Sequence, residues 1–178
     1  MKLISPIDFK VDQWLWHGRA EWPAQAFYYF TYLGEAYFVA VVTVIAVVYL
    51  WFKTDKAKAY GLAVSAVGSV GTVLMLKHLI ARPRPVHSFY AETLASFPSA
   101  HATLAVAVYG LLFYYLISSV RQPWQKTALH LISALFILLL GFSRLYLGVH
   151  YLSDVVAGYA VGFVWLTAGV LVEKNLKD

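Results

Sequence analysis

The chain has 178 residues, 61% of them hydrophobic and only 13% charged, with a formal net charge of +5 and no cysteine. Soluble domains carry roughly a quarter of their residues charged, so an ordinary soluble domain is excluded, as are disulfide frameworks and thiolate chemistry. The composition predicts a membrane protein of the all-α class, a polytopic bundle of transmembrane helices.

In chain order, Lys2 leads into a mixed polar and aromatic stretch, whereas a secretory signal peptide would continue into an apolar core; none is expected here. Ser5-Pro6-Ile7-Asp8 has the pattern of a capped helix start, with proline at the first helical position and an acid three residues after the serine. Ile4, Ile7, Val11, Trp14 and Leu15 recur at helical spacing. An amphipathic helix in the membrane interface is therefore predicted within residues 1–30, anchored by Trp14, Trp16 and Trp22.

Five apolar runs follow, over 31–52, 59–80, 102–120, 127–147 and 149–172. A hydrocarbon core of ~30 Å needs about 20 such residues per helix, so each is long enough to span. The reading is one domain over 1–178 without a linker: an interfacial region over 1–30, a transmembrane core over 31–172, and the polar motifs between 77 and 154. Ser65, Gly68, Ser69, Gly71 and Thr72 give the second run a small-residue surface for close helix packing.

Lys53, Lys56, Lys58, Arg121, Lys126, Lys174 and Lys177 all fall on one side when spans alternate. The positive-inside tendency makes that side cytoplasmic, so the carboxyl terminus is expected in the cytoplasm. Lys77, Arg82, Arg84 and Arg144 fall on the other side of what is read as the plasma (inner) membrane. There a functional site would account for them.

Three polar clusters lie at that side: Lys77 with Arg84-Pro85, Pro98-Ser99-Ala100-His101, and Ser143-Arg144 with His150 and Asp154. His150 and Asp154 are four apart and share a helix face. An intramembrane carboxylate is costly unless paired; hydrogen-bonded to one nitrogen of His150, it would leave the other as a nucleophile. The same pair alone also fits a helix-stabilising contact or two metal ligands. Ser99 is a natural N-cap, and the first-turn amides at Ala100 and His101 would favour an anion. Lys77, Arg84 and Arg144 supply cations suited to phosphate. Of the other histidines, His17, His78, His87 and His130 are assigned to packing or solvation. Arg82 and Glu92 are candidate substrate contacts, because the loop carrying them passes over the proposed site.

Lys77-x6-Arg84-Pro85, Pro98-Ser99-Ala100-His101 and Ser143-Arg144-x5-His150-x3-Asp154 together resemble the three-part signature of the type 2 phosphatidic acid phosphatases, lipid phosphate phosphatases related to vanadium haloperoxidases. The resemblance implies that His150 attacks phosphorus and forms a phosphohistidine, that Asp154 orients it, and that His101 protonates the leaving oxygen. It implies phosphate binding by Lys77, Arg84, Ser99, Ala100 and Arg144, with no metal and no cofactor. Ala100 stands where the family most often has glycine, and five spans replace the six of many relatives.

The implied partners are a membrane lipid substrate and the bilayer, with no nucleic acid; the sequence is silent on oligomeric state. The implied function is hydrolysis of a lipid phosphate or diphosphate at the outer membrane face. A polyprenyl diphosphate is slightly favoured over phosphatidic acid, with phosphatidylglycerol phosphate a further candidate. The alternatives are a lipid phosphotransferase with the same intermediate and a transporter or channel whose charges line an ion path.

Overall fold

The computed structural model describes residues 4–53 and 55–177; Lys2, where the reading of the amino terminus began, lies outside them. No strand occurs among the described residues, and five helices are long and apolar enough to cross a membrane.

Helix α1 spans Pro6–His17. Its start is the predicted capping box: the Asp8 N–H donates to Ser5 Oγ at 3.1 Å and the Ser5 N–H to Asp8 Oδ2 at 3.3 Å. Gly18 ends it, donating to the Trp14 carbonyl, and α2 follows over Glu21–Thr31. The region read as one interfacial helix is thus two. A 3₁₀ turn over Tyr32–Gly34 separates α2 from the first span, which begins five residues later than hydropathy suggests.

The spans are α3 (Ala36–Lys53), α4 (Lys56–Ile80), the composite Ala100–Ser119, α7 (Pro123–Tyr146) and α8 (Leu152–Asn175). The composite consists of α5 (Ala100–Leu104), a π-helical turn over Ala105–Gly110 and α6 (Leu111–Ser119). Its first half is almost wholly buried, with Ala102, Ala105, Ala107 and Val108 shut off from the surface.

Helix α8 packs most extensively on α4 and on the composite span. Glycines set that distance. A Cβ at Gly169 would lie 2.7 Å from the Gly61 carbonyl, one at Gly158 2.6 Å from the Ser99 carbonyl, and one at Gly162 2.5 Å from the Thr103 carbonyl. The small-residue surface of α4 is used in part: Ser65 Oγ donates to the Ala107 carbonyl at 2.8 Å, and Gly68 lies under the Trp165 ring. Gly71 faces open space. With so little polar area, close approach and dispersion hold the helices together, as in other membrane bundles.

The two ends of the bundle differ. At one end Lys177 bridges Asp55 at 2.7 Å and Glu173 at 2.6 Å, tying the α3–α4 turn to the end of α8. At the other, residues 81–99 cross over the mouths of α4, α5, α7 and α8. That loop is pinned by its backbone: Phe89 donates to the Leu147 carbonyl at 2.8 Å and Ser96 to the Arg82 carbonyl at 2.9 Å.

Candidate active site

His150 reaches the site by way of a tight turn between α7 and α8. Gly148 adopts φ 64°, the left-handed region that glycine enters without a Cβ clash. A Cβ there would also meet Arg19 Nη2 at 2.5 Å and the His87 carbonyl at 2.9 Å. The Val149 N–H returns to the Arg144 carbonyl at 3.1 Å, so Arg144 and His150 are delivered to one place by one turn.

A cavity of about 380 Å³ opens there. Lys77, Arg84, Ala100, His101 and His150 line it, and the segment 90–94 forms a wall. Ser99, Arg144 and Asp154 are completely buried behind this lining. Ser99 is the N-cap of α5, its Oγ accepting from the Ala102 N–H at 3.5 Å, while its own N–H donates to the Asp154 carbonyl at 3.0 Å. The three sequence clusters therefore meet.

His150 Nδ1 approaches Asp154 Oδ2 to 3.5 Å without forming a hydrogen bond, and His150 Nε2 lies 3.3 Å from Arg84 Nη1. Burial, reinforced by Arg144, Arg84 and Lys77, holds His150 well below its ordinary pKa of 6.5. Its ring is neutral at pH 7, with one nitrogen free to act as a nucleophile. Protonation comes only as the pH falls well below 6.5.

Glu92 occupies the centre of the cationic group. Its Oε2 takes Arg84 Nη2 at 2.5 Å and its Oε1 takes Arg144 Nη2. Burial alone would raise its pKa; Arg144 and Arg84 reverse the sign, so the carboxylate stays ionised. Arg144 also donates to Tyr90 Oη at 2.5 Å and to Thr31 Oγ1 at 2.8 Å. Lys77 Nζ donates to the Ala95 carbonyl, and Arg84 Nη1 to the Val149 carbonyl at 2.7 Å.

One sequence expectation is corrected. Arg82 does not reach the cavity; it is buried on the far side of Asp154, between that residue and Asp8. Glu92, named with it, does line the cavity. Sequence reasoning missed Glu35, whose Oε1 lies 3.5 Å from His101 Nε2 and which also lines the cavity. An acid four residues inside the run over 31–52 was the available signal. The remaining histidines lie outside the cavity lining: His87 stacks on Trp16 with ring centroids 4.5 Å apart, and His17 Nδ1 contacts the Gln13 carbonyl. Among the described residues, no three His, Cys, Asp or Glu side chains come together as a metal-holding group.

A bundle of five spanning helices with two histidines, three carboxylates and three cations in and behind the wall of one polar cavity defines an integral membrane phosphate-processing site. The sequence profile of the PAP2 superfamily matches residues 56–178, more than half the chain, and the chain belongs to that family. Phosphatidylglycerophosphatase B of Bacillus subtilis (strain 168) is 31% identical over 154 residues, covering 82% of this chain and 73% of that protein. A lipid A 1-phosphatase of Rhizobium johnstonii is 33% identical over 150 residues, covering 72% of this chain and 57% of the relative. The fold matches the crystal structure of a transmembrane PAP2-type phosphatidylglycerolphosphate phosphatase from Bacillus subtilis, with a TM-score of 0.85 at 24% identity over 95% of this chain and 85% of that one. It also matches Aquifex aeolicus LpxE, with a TM-score of 0.71 at 23% identity over 93% and 94%. The protein is a membrane-embedded phosphatase of lipid phosphates, a phosphoric ester hydrolase.

Proposed function

We propose that the chain, as one domain over residues 1–178, hydrolyses a long-chain lipid phosphate or diphosphate without a metal, through a phosphohistidine on His150. The observation that carries this reading is Glu92: a carboxylate held by Arg84 and Arg144 beside His150. Two guanidinium forks that converge on one anion suit the oxygens of a phosphoryl group. Lys77 adds a point charge, and the first-turn amides at Ala100 and His101 add donors without an intrahelical acceptor.

In the first step the Nε2 lone pair of His150 attacks the terminal phosphorus and that phosphorus parts from its leaving oxygen, which belongs to the lipid alcohol in a monophosphate and to the remaining lipid phosphate in a diphosphate. His101 gives that oxygen its proton. Water then attacks the phosphohistidine, His101 takes the water's proton, and inorganic phosphate leaves with His150 restored. Charge developing on the transferring group meets preorganised cations. Asp154 holds the ring of His150, and Glu35 faces His101.

The substrate reading rests on a second cavity. An apolar groove of about 290 Å³ runs between α3, α4 and the composite span, lined by side chains including Val39, Val44, Val67 and Val108. Ala36 borders both groove and polar cavity. A chain lying there gains ~0.8 kcal/mol per buried methylene, enough for several methylenes to dominate binding. Phosphatidylglycerol phosphate stands first among the candidates because of the Bacillus subtilis relative, ahead of a polyprenyl diphosphate and phosphatidic acid. The Lys and Arg residues collected at the opposite end of the bundle support an extracytoplasmic catalytic face.

The test is phosphate release in detergent from these three lipids and from para-nitrophenyl phosphate, with and without EDTA and vanadate. Turnover of long-chain substrates, insensitivity to EDTA, inhibition by vanadate, and complete loss in His150→Ala are expected. Near-normal activity of His150→Ala would remove the phosphohistidine, and equal efficiency on para-nitrophenyl phosphate would remove the groove.

A further inference from the structure

Helix α1 meets the protein through Asp8 and Asp12 as well as through Leu15 and Val11. Asp8 is 2% exposed, whereas its neighbour Ile7 is 64% exposed and Trp14 74%. The Asp8 carboxylate accepts from the Ser153 N–H and Oγ, both at 2.8 Å, and from Arg82 Nη2 at 2.8 Å. Arg82 in turn donates through Nη1 to Asp154 Oδ1 at 2.5 Å and to Ser153 Oγ at 2.7 Å, with its guanidinium carbon 4.6 Å from the Tyr151 ring centre. The other oxygen of Asp154 accepts from the Tyr151 N–H at 2.8 Å and faces His150 Nδ1.

The order is therefore Asp8, Arg82, Asp154, His150, running from the amino-terminal helix into the cavity. One guanidinium is shared by two carboxylates. Shared in this way, it leaves Asp154 with net negative charge to present to His150; held by Asp154 alone, it would cancel that charge. The geometry is equally constrained: Arg82 and the Tyr151 N–H grip Asp154 from two sides and fix the direction of Oδ2.

We propose that Arg82 and Asp8 are positioning residues for the reaction, Arg82 fixing Asp154 behind His150 and Asp8 fixing Arg82 while setting how much of its charge Asp154 feels. Helix α1 thereby supplies a part of the active site that never touches substrate. This rests on the reading of His150 as the nucleophile. Burial opposes ionisation of Asp8, yet the Ser153 N–H and Arg82 bring its pKa down to about 2, so the tie is intact throughout the working pH range.

The test is the pH profile of kcat and KM on dioctanoyl phosphatidic acid in mixed micelles for Asp8→Asn, Arg82→Gln and Arg82→Lys. Lys10→Ala on the exposed side of α1 is the control and His150→Ala the reference. The charged groups facing His150 are Lys77 from α4, Arg84 and Glu92 from the loop, Arg144 from α7 and Asp154 from α8, and none of these is changed. Asp8→Asn should lower kcat about tenfold and Arg82→Gln about a hundredfold, as misplacement of a supporting group does, with KM altered less than about twofold. The acidic limb should move in opposite directions. With Asp8 neutral, the full charge of Arg82 falls on Asp154, His150 becomes a weaker base, and the limb shifts to lower pH. With Arg82 neutral, Asp154 is uncompensated and the limb shifts to higher pH; Arg82→Lys should recover part of kcat.

A merely structural role would lower activity in proportion to folded protein and leave the limb in place. That result, or kcat within about twofold of the parent in both variants, overturns the proposal while His150→Ala stays inactive. Activity in His150→Ala overturns the nucleophile assignment instead. If Asp8→Asn does not survive purification, Asp8→Glu, which displaces the carboxylate by one methylene, must show the same fall in kcat at constant KM.

Discussion

At the scale of single residues, Glu92 has two consequences. It neutralises part of the repulsion between Arg84 and Arg144, and it occupies the forks that a phosphoryl group would use. If phosphate takes these forks as proposed, it must displace Glu92, and the carboxylate then competes with substrate and with any anionic mimic. Glu92→Gln keeps the shape and removes the charge. Vanadate should then bind about tenfold more tightly, equivalent to ~1.4 kcal/mol, measured as a lower inhibition constant at pH 7. An unchanged constant would show that Glu92 moves aside without cost. Glu35 is a different case: its contact with His101 holds its pKa below the usual carboxylate range, so it faces that ring as an anion. The two histidines thus each have a carboxylate on a separate helix or turn, and neither carboxylate is adjacent to its histidine in the chain.

At the scale of elements, α8 carries Asp154 in its first turn, just after the turn that holds His150, and packs by glycines against the helix that carries His101. Gly158 is the critical point. Its missing Cβ lets the Ser99 carbonyl approach, and one helical turn earlier Asp154 accepts the Ser99 N–H. A methyl group at this position would push α5 away from α8 and separate His101 from His150. Overpacking of this kind costs ~1–3 kcal/mol, and misplacement of reacting groups by about 1 Å lowers rates about a hundredfold. Gly158→Ala should therefore lose most of its activity along with a few degrees of thermal stability in detergent. Gly71→Ala, where no atom lies within 4 Å, should lose neither. Retention of full activity in Gly158→Ala would show that the α5–α8 distance has slack.

At the scale of the whole molecule, the polar cavity and the basic cluster lie at opposite ends of the bundle, and sidedness can be read chemically. The chain has no cysteine, so single cysteines report without background. Val86, 89% exposed in the loop over the cavity, and Lys56, exposed at the start of α4, mark the two ends. A membrane-impermeant thiol reagent applied to intact cells should label Val86→Cys and spare Lys56→Cys. The reverse pattern would place the catalytic face in the cytoplasm and turn the proposed lipid pool inward.

The sequence by itself determined the spans and the candidate residues, because both depend on local features: twenty apolar residues satisfy a bilayer whatever surrounds them, and three short motifs name their own polar side chains. The capping box at Ser5 and Asp8 was legible for the same reason. The shared helix face expected for His150 and Asp154 is not the arrangement found, since α8 begins at Leu152 and the turn before it brings His150 to Asp154. Tertiary structure decided which span ends are neighbours, and with that the partner of each charge. Asp8 and Arg82 are 74 residues apart, and Arg82 and Asp154 72, so no local pattern links them. The apolar stripe of α1 pointed to a helix lying in the membrane interface, and Ile7 and Trp14 do stay on the outside; its contacts with the protein run through Asp8, Asp12 and Leu15, with Val11 beside them. Hydropathy ranks faces by their affinity for water or hydrocarbon; it does not register a buried guanidinium waiting between two carboxylates, because that interaction exists only once α1, the loop after α4 and the start of α8 have come together.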